Sequence, residues 1–335
     1  MRHSIATLCC CSASLVLAAC AAAPRAPAAR LAEAGVNATG TFATEVRTAA
    51  SQLAYVDAID AFAMTWEYCQ NRNIPCTAQV PAQDVANARR QLSETINARA
   101  QALDALGAAY ASLGQEAAAD GGADLAGAVD NLVDGVNRYA GAVSSLTGTP
   151  VASLVTPPIA AALRGIAAEI GEQRQRHRII AGSRAIRTAA EALRNALSAE
   201  AGYFDTIADY LVTQRTTARL ALMQAGLVSR SAPFAALARN LEVTPTGNSE
   251  SVISASVPVQ TALEATVRAQ SQAEVVVVQQ RYRTSVEALG ALIAAHRQLE
   301  AEQAVSLGDV ERVLGRLQAV LDATPPAPVA PGQQP

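Results

Sequence analysis

The chain has 335 residues, of which 50% are hydrophobic, 16% are charged and 4% are aromatic, and its formal net charge is −3. A chain half hydrophobic is not wholly disordered, and a charge so near zero argues against a nucleic-acid partner. All 26 basic residues are Arg, which excludes Schiff-base and phosphate-loop lysines. The apolar residues are mostly Ala, Leu, Val and Ile, and this composition predicts an all-α fold.

The first twenty residues have the pattern of an export signal. A short basic start precedes a mostly apolar segment over residues 5 to 17, and small residues lead into Cys20 in the run Leu17-Ala18-Ala19-Cys20. This run resembles the lipobox of bacterial lipoproteins. The resemblance implies cleavage before Cys20 and a lipid on that residue. Because Ala21 rather than Asp follows, it also implies, for a Gram-negative source, an outer-membrane anchor with the body facing the periplasm. An ordinary signal peptide that ends near a cysteine is the alternative.

Composition sets the expected domain boundaries. Residues 1 to 19 are predicted to be the signal peptide. Residues 20 to 40 are rich in Ala, Pro and Gly and lack an apolar period, so we expect a lipidated, flexible tether. Residues 41 to 323 are expected to form one helical bundle domain. The Pro-rich residues 324 to 335 are expected to be a disordered tail.

Apolar residues recur at three- and four-residue spacing throughout the expected bundle, which is typical of amphipathic helices. A turn is predicted at Gly148-Thr149-Pro150, and an irregular stretch begins near Pro233. The predicted helices span about 41–71, 81–119, 125–148, 159–229, 257–304 and 306–322. Their number and length predict an elongated antiparallel helical bundle.

Cys69 and Cys76 are the two cysteines that remain besides Cys20 once the predicted signal peptide is removed. In an oxidising exported compartment, such a pair is expected to form a disulfide. A zinc site and a redox site are the alternatives. No His lies nearby to complete a zinc site, and a redox pair more typically has only two residues between its cysteines.

Opposite charges gather in two stretches. The chain is acidic between Arg99 and Arg138, and it carries a net +4 between Arg164 and Arg194. If the chain doubles back between residues 148 and 158, the two stretches are expected to pair in an antiparallel hairpin. The competing interpretation is that Arg174, Arg176 and Arg178, together with His177, bind an anion, such as a lipid headgroup, or contact an acidic partner.

The residues that most often carry chemistry form no recognisable site in the sequence. His177 and His296 are both flanked by Arg, and both are predicted to lie at the surface. No nucleophile motif, metal-ligand spacing or glycine-rich phosphate loop occurs, so neither catalysis, nor a metal, nor a cofactor is predicted. Phe62 and Trp66 are four residues apart, which favours a place in the core over a partner-binding patch.

These features predict a lipid-anchored cell-envelope protein that has a structural or protein-interaction role and is not an enzyme. Its expected partners are the membrane, through the lipid, and another envelope protein or the cell wall. The alternative is an accessory or ligand-binding lipoprotein of an envelope transport system. That alternative requires a ligand-sized cavity between the helices.

Overall fold

The structure is a computed structural model that describes residues 24–70, 75–118, 125–153, 172–244 and 249–322. Within these ranges the chain forms helices and no strand, so the predicted all-α class with long packed helices is confirmed. Cys20, the predicted signal peptide and the Pro-rich tail lie outside the described residues. The helices are α1 (Arg25–Ala54), α2 (Val56–Gln70), α3 (Gln83–Ala118), α4 (Leu125–Thr147), α5 (Glu172–Gln224), α6 (Ser231–Asn240), α7 (Ser249–Ala255), α8 (Val257–Glu300) and α9 (Gly308–Asp322).

The chain divides into two compact units. Of the described residues, unit one takes 24–48, 94–118, 125–153, 172–200 and 283–322, and unit two takes 49–70, 75–93, 201–244 and 249–282. The sequence gives no sign of this division, because each described boundary falls inside a helix rather than in a linker. Helices α4 and α9 belong to unit one, α2, α6 and α7 belong to unit two, and the other four contribute to both.

Helix α1 differs from the flexible tether predicted for residues 20 to 40. From Arg25 onward these residues are helical, and the Tyr110 ring of α3 lies directly against the backbone of Gly35. The small side chains that suggested a tether have another role, because they let α1 approach α3 closely. The buried residues in this part of α1 are Ala28, Leu31, Ala32, Gly35, Ala38 and Thr39.

Most helix pairs in unit one run antiparallel. Between α3 and α4, the Thr95 hydroxyl bonds the carbonyl of Ala142 at 3.5 Å, while a Cβ on Gly135 would lie 3.3 Å from Ala102. Along the direction in which residue numbers increase in α3, they therefore decrease in α4, so the two helices are antiparallel. The same relation holds for α5 and α8, where the contacts are those of Ser183 with His296 and of Arg194 with Gly290.

Helices α4 and α5, in contrast, run parallel. A Cβ on Gly182 would lie 2.5 Å from Cδ2 of Leu125, and Tyr139 bonds Glu200 further along both helices. Residue numbers therefore increase in the same direction in the two helices. The antiparallel hairpin expected from the opposite charges is thus wrong, because α4 and α5 each pack antiparallel to α3 instead.

Turn chemistry explains several helix ends. The predicted turn after α4 is present, with Gly148 at φ +68° and its N–H donating to the Ser144 carbonyl. A positive φ is a conformation that glycine adopts at little cost.

The irregular stretch expected near Pro233 is instead the start of α6. Proline is tolerated there because the N–H groups of a first helical turn have no acceptor within the helix.

Two predicted helices have different bounds. The helix expected over residues 41 to 71 is divided at Tyr55, where α1 ends and α2 begins. The helix expected over residues 159 to 229 is observed from Glu172 to Gln224, and residues 159 to 171 lie outside the described residues.

Unit one has a well-filled apolar core. The twelve largest fully buried side chains of the described residues all belong to this unit. They are Tyr110, Tyr139, Leu31, Leu106, Leu113, Leu125, Leu132, Ile179, Ile186, Leu193, Leu289 and Leu292.

Unit two has a smaller core and a more apolar surface. Its main cluster contains Leu220, Met223, Ile253, Leu263 and Val267. Four of its aromatic residues form two stacked pairs, Phe62 with half-buried Trp66 and Phe204 with Tyr282. Of thirteen large hydrophobic side chains that are exposed in the described residues, twelve belong to unit two and the other is Val36.

Candidate functional site

The disulfide predicted between Cys69 and Cys76 is present, with Cα atoms 5.1 Å apart. It joins the end of α2 to the segment that precedes α3. The same segment is held a second time, because the N–H of Gln79 donates to the hydroxyl of Thr65 on α2 at 2.9 Å. The disulfide therefore fastens the connection between α2 and α3 in unit two.

We expect replacement of both cysteines by Ser to lower the free energy of unfolding by about 2.5 kcal/mol, because opening so short a loop releases chain entropy in the unfolded state. Urea unfolding followed by circular dichroism measures the loss. Unsubstituted protein in a reductant is the matched control and should show the same shift. Unchanged midpoints in both samples would contradict the prediction.

The three arginines proposed as an anion or partner contact lie at the start of α5. Arg176 pairs with Glu302, and Arg178 pairs with Glu116 at 2.8 Å. Arg174 is half-buried. The Arg178 pair joins the basic stretch to the acidic stretch, but it does so between α5 and α3. An anion site at these residues stays a prediction, and two of the three guanidinium groups already have a carboxylate partner.

His296 is not at the surface, as the sequence predicted, but fully buried in unit one. Its Nδ1 lies 2.8 Å from the hydroxyl of Ser183, and its Nε2 lies 3.0 Å from the hydroxyl of Tyr110. Both partners are also fully buried. The structure thus brings together α3, α5 and α8 through three polar side chains that the sequence did not connect. His177 is exposed, as predicted.

The polar contacts of His296 continue toward the surface. The Ser183 hydroxyl lies 3.5 Å from Oε1 of Glu300, and the Arg187 Nε donates to the same carboxylate oxygen at 2.9 Å. The side chain of Arg187 is 22% exposed. We call Tyr110, His296, Ser183, Glu300 and Arg187 the His296 network.

Burial controls the protonation of this network. It lowers the pKa of His296 from 6.5 to about 3, with a smaller contribution from the positive charge of Arg187. It also raises the pKa of the Tyr110 hydroxyl above its usual value of 10.0. His296 is therefore a neutral imidazole and Tyr110 an un-ionised phenol at neutral pH. The hydrogen bond to Glu300 raises the pKa of Arg187.

A second cluster of buried polar side chains in unit one joins α3, α4 and α5. The Arg99 guanidinium donates to Oε1 of Glu200 at 2.6 Å, and the Tyr139 hydroxyl donates to the other carboxylate oxygen. The side chain of Glu200 is 0% exposed and that of Arg99 is 6% exposed. The carboxylate therefore has a cation and a hydroxyl as partners, so its charge is compensated within the core.

Unit two contains a comparable cluster and a small groove. Arg89 pairs with Asp57 and Asp60, and its guanidinium also donates to the hydroxyl of Tyr210. The groove is lined by four apolar residues and by the polar side chains of Gln224, Arg230, Gln260 and Glu264, and it encloses about 270 Å³, part of which is open solvent. The apolar lining residues are Leu220, Met223, Ile253 and Leu263.

The His296 network includes a hydroxyl and an imidazole at hydrogen-bond distance, which is the arrangement of a serine nucleophile and its base. Both groups are 0% exposed, so a substrate has no access to them. Among the described residues, no three His, Cys, Asp or Glu side chains are grouped so as to hold a metal ion. The network is therefore placed to stabilise unit one rather than to react.

No protein-family model, curated protein or solved structure matches this chain. Within the described part of the chain, none of the helices combines the length and hydropathy needed to cross a membrane.

Proposed function

We propose that this protein is a lipid-anchored component of the bacterial cell envelope that acts through contacts with another envelope protein or with the cell wall. The anchor is inferred from the run Leu17-Ala18-Ala19-Cys20 behind an apolar segment. The observation that carries the interaction role is the uneven distribution of exposed apolar side chains between the two units.

The exposed apolar residues of unit two support a binding surface there. Leu227 is 67% exposed, Leu241 is 63% exposed and Val257 is 71% exposed. Single exposed apolar residues are ordinary, whereas many on one unit favour a surface that contacts other molecules. Unit one places its large apolar residues inside, so it serves as the stable body of the molecule.

The polar side chains of unit one support a non-catalytic role. The groups that could carry chemistry, Ser183, His296 and Glu200, are each closed off from solvent and hydrogen-bonded within the core. A catalytic group needs to reach a substrate within about 3 Å. Buried groups of this kind contribute instead to the stability and register of the helices.

The groove of unit two bears on the alternative, an accessory or ligand-binding lipoprotein of a transport system. Small-molecule sites usually enclose about 300–1,000 Å³ and bury most of their ligand. The 270 Å³ of the groove includes open solvent, and the volume that water-sized groups can occupy in it is about 20 Å³, far below this range. This groove therefore gives the ligand-binding alternative no support.

The anchor is tested by the intact mass of the protein from membrane fractions, with and without Cys20→Ala. We expect a mass that corresponds to a chain starting at an acylated Cys20, and a soluble product for the variant. The chain has no Lys, so an amine-reactive dye reports the terminal amino group alone. Acylation of that group should block labelling, and a labelled, soluble wild-type protein would contradict the anchor.

The interaction role is tested by single lysines, because each introduced amine is the only side-chain amine in the chain. Val257→Lys places it on unit two, and Val36→Lys is the matched control on unit one. We expect an amine-directed crosslinker to join the Val257 variant, but not the control, to a defined envelope component in living cells. Equal crosslinking from both positions, or from neither, would count against the proposed surface.

A further inference from the structure

The hydrogen-bond directions in the His296 network follow from the position of Tyr110. Its hydroxyl is fully buried, and among the described residues the structure gives it one hydrogen-bond partner, Nε2 of His296 at 3.0 Å. A buried O–H that donates to nothing is costly. The Tyr110 hydroxyl must therefore donate, and Nε2 must accept.

This direction fixes the rest of the network. A neutral imidazole has one N–H, so acceptance at Nε2 places the proton on Nδ1. The Nδ1–H then donates to the Ser183 oxygen at 2.8 Å, and the Ser183 O–H is left to donate to Oε1 of Glu300 at 3.5 Å. Glu300 accepts at the far end, where Arg187 holds it. If instead Ser183 donated to Nδ1 and the Nε2–H donated to Tyr110, the Tyr110 O–H would have no acceptor.

A second proton on His296 disrupts this order. Protonated Nε2 would point its N–H at the Tyr110 hydroxyl, which would have to turn away and lose its acceptor. The ionisable groups that face the imidazole are Tyr110 from α3, Arg187 from α5 and Glu300 from α8 itself. From α1, the residue against the Tyr110 ring is the uncharged Gly35. Glu300, the one acidic group among them, is already engaged by Arg187.

We propose that the His296 network is a one-way hydrogen-bond relay that holds His296 in its neutral Nδ1–H form, and that it acts as an acid-sensitive latch on unit one. At neutral pH the relay joins α3, α5 and α8. Acidification favours an opened state of unit one, because the imidazole can take up a proton only when it leaves the relay. The latch is independent of the lipid anchor and of the proposed partner surface.

The sign of the effect follows from the two protonation equilibria. The unfolded chain binds a proton at His296 below pH 6.5, whereas the folded chain does so only near pH 3. Stability from this residue is therefore complete above pH 6.5 and is lost as the pH falls from 6.5 toward 3. From pH 7 to pH 5, this residue alone raises the equilibrium constant for unfolding by about 25-fold.

Nitrogen NMR of the intact, histidine-labelled protein tests the proton position directly. We expect Nδ1 of His296 to carry the proton, Nε2 to be bare, and neither signal to change between pH 7 and pH 5 while the protein is folded. A proton on Nε2, or a titration of folded His296 in this range, would overturn the relay. This measurement uses unsubstituted protein and does not depend on a variant that folds.

Urea unfolding at pH 7 and pH 5 tests the latch. The control is His177→Gln, which changes an exposed histidine of α5. From pH 7 to pH 5, the equilibrium constant for unfolding of this control should rise about 25-fold more than that of His296→Gln. Carboxylates that also respond to pH are common to both variants and cancel in the comparison. The same pH dependence in the two variants would overturn the latch. If His296→Gln does not fold, unsubstituted protein and His177→Gln are compared over the same range, and a rise well below 25-fold in both would overturn it.

Discussion

Arg99→Met is expected to lower the free energy of unfolding by about 3–5 kcal/mol, because it removes the Arg99 guanidinium from the buried carboxylate of Glu200. The two side chains are 6% and 0% exposed, so water cannot replace the lost partner. Urea unfolding at neutral pH measures the loss. We expect the double change Arg99→Met with Glu200→Gln to recover a large part of it, since the Gln oxygen still accepts from Tyr139.

The matched control is Arg47→Met. Arg47 also pairs with a carboxylate, that of Asp104 at 2.5 Å, but these side chains are 56% and 51% exposed. Exposed pairs contribute about 0–1 kcal/mol, so the control should change stability little. Equal losses for Arg99 and Arg47 would show that burial does not set the cost of breaking the Arg99 pair.

Gly35→Ala is expected to destabilise unit one by on the order of 3 kcal/mol. A Cβ at Gly35 would approach three ring atoms of Tyr110 well inside the 3.0 Å limit that real Cβ atoms respect. The ring cannot move aside, because Tyr110 is fully buried and its hydroxyl is bound to His296. Thermal or urea unfolding measures the effect.

Gly40→Ala is the control on the same helix. No heavy atom lies within 4 Å of a Cβ built at Gly40. Alanine should therefore stabilise α1 by about 0.5–1 kcal/mol, as it does at exposed helical positions. If neither substitution changed the stability of the protein, residues 25 to 40 would behave as the flexible tether that the sequence suggested.

Helix periodicity predicted much of the fold. The spans predicted for α3, α4 and α9 agree with the structure within a few residues, because their apolar residues repeat at helical spacing and end at Gly or Pro. The disulfide was also predictable, since only Cys69 and Cys76 remained to pair. The parallel arrangement of α4 and α5 was not, because helix direction depends on packing between distant segments and leaves no local pattern.

The buried position of His296 left a signal that the flanking residues concealed. Leu289, Leu292 and Leu299 are buried, and position 296 falls on the same helical face at three- and four-residue spacing. His296 was predicted to lie at the surface because its neighbour Arg297 is charged. Arg297 lies on a different face of the helix, where it pairs with Glu191. The partners Ser183 and Tyr110 could not be found, because they are distant in sequence and have no motif.

The tether prediction failed for a related reason. An Ala- and Gly-rich sequence without large apolar residues is typical of a flexible linker, but it also suits a helix that packs at close range. The deciding residue is Tyr110, whose ring occupies the space left by Gly35. That complementarity joins positions on two helices, and no reading of α1 alone reveals it.

The position of Trp66 gives the protein a built-in optical reporter. It is the chain's single tryptophan, and it lies half-buried in unit two, stacked on Phe62. Its fluorescence therefore follows the unfolding of unit two, while far-ultraviolet circular dichroism follows the helices of both units. Coincident curves would mean that the two units melt as one cooperative block, and separated curves would give each unit its own stability. The Arg99 and Gly35 substitutions, both in unit one, would then shift the dichroism curve ahead of the fluorescence curve.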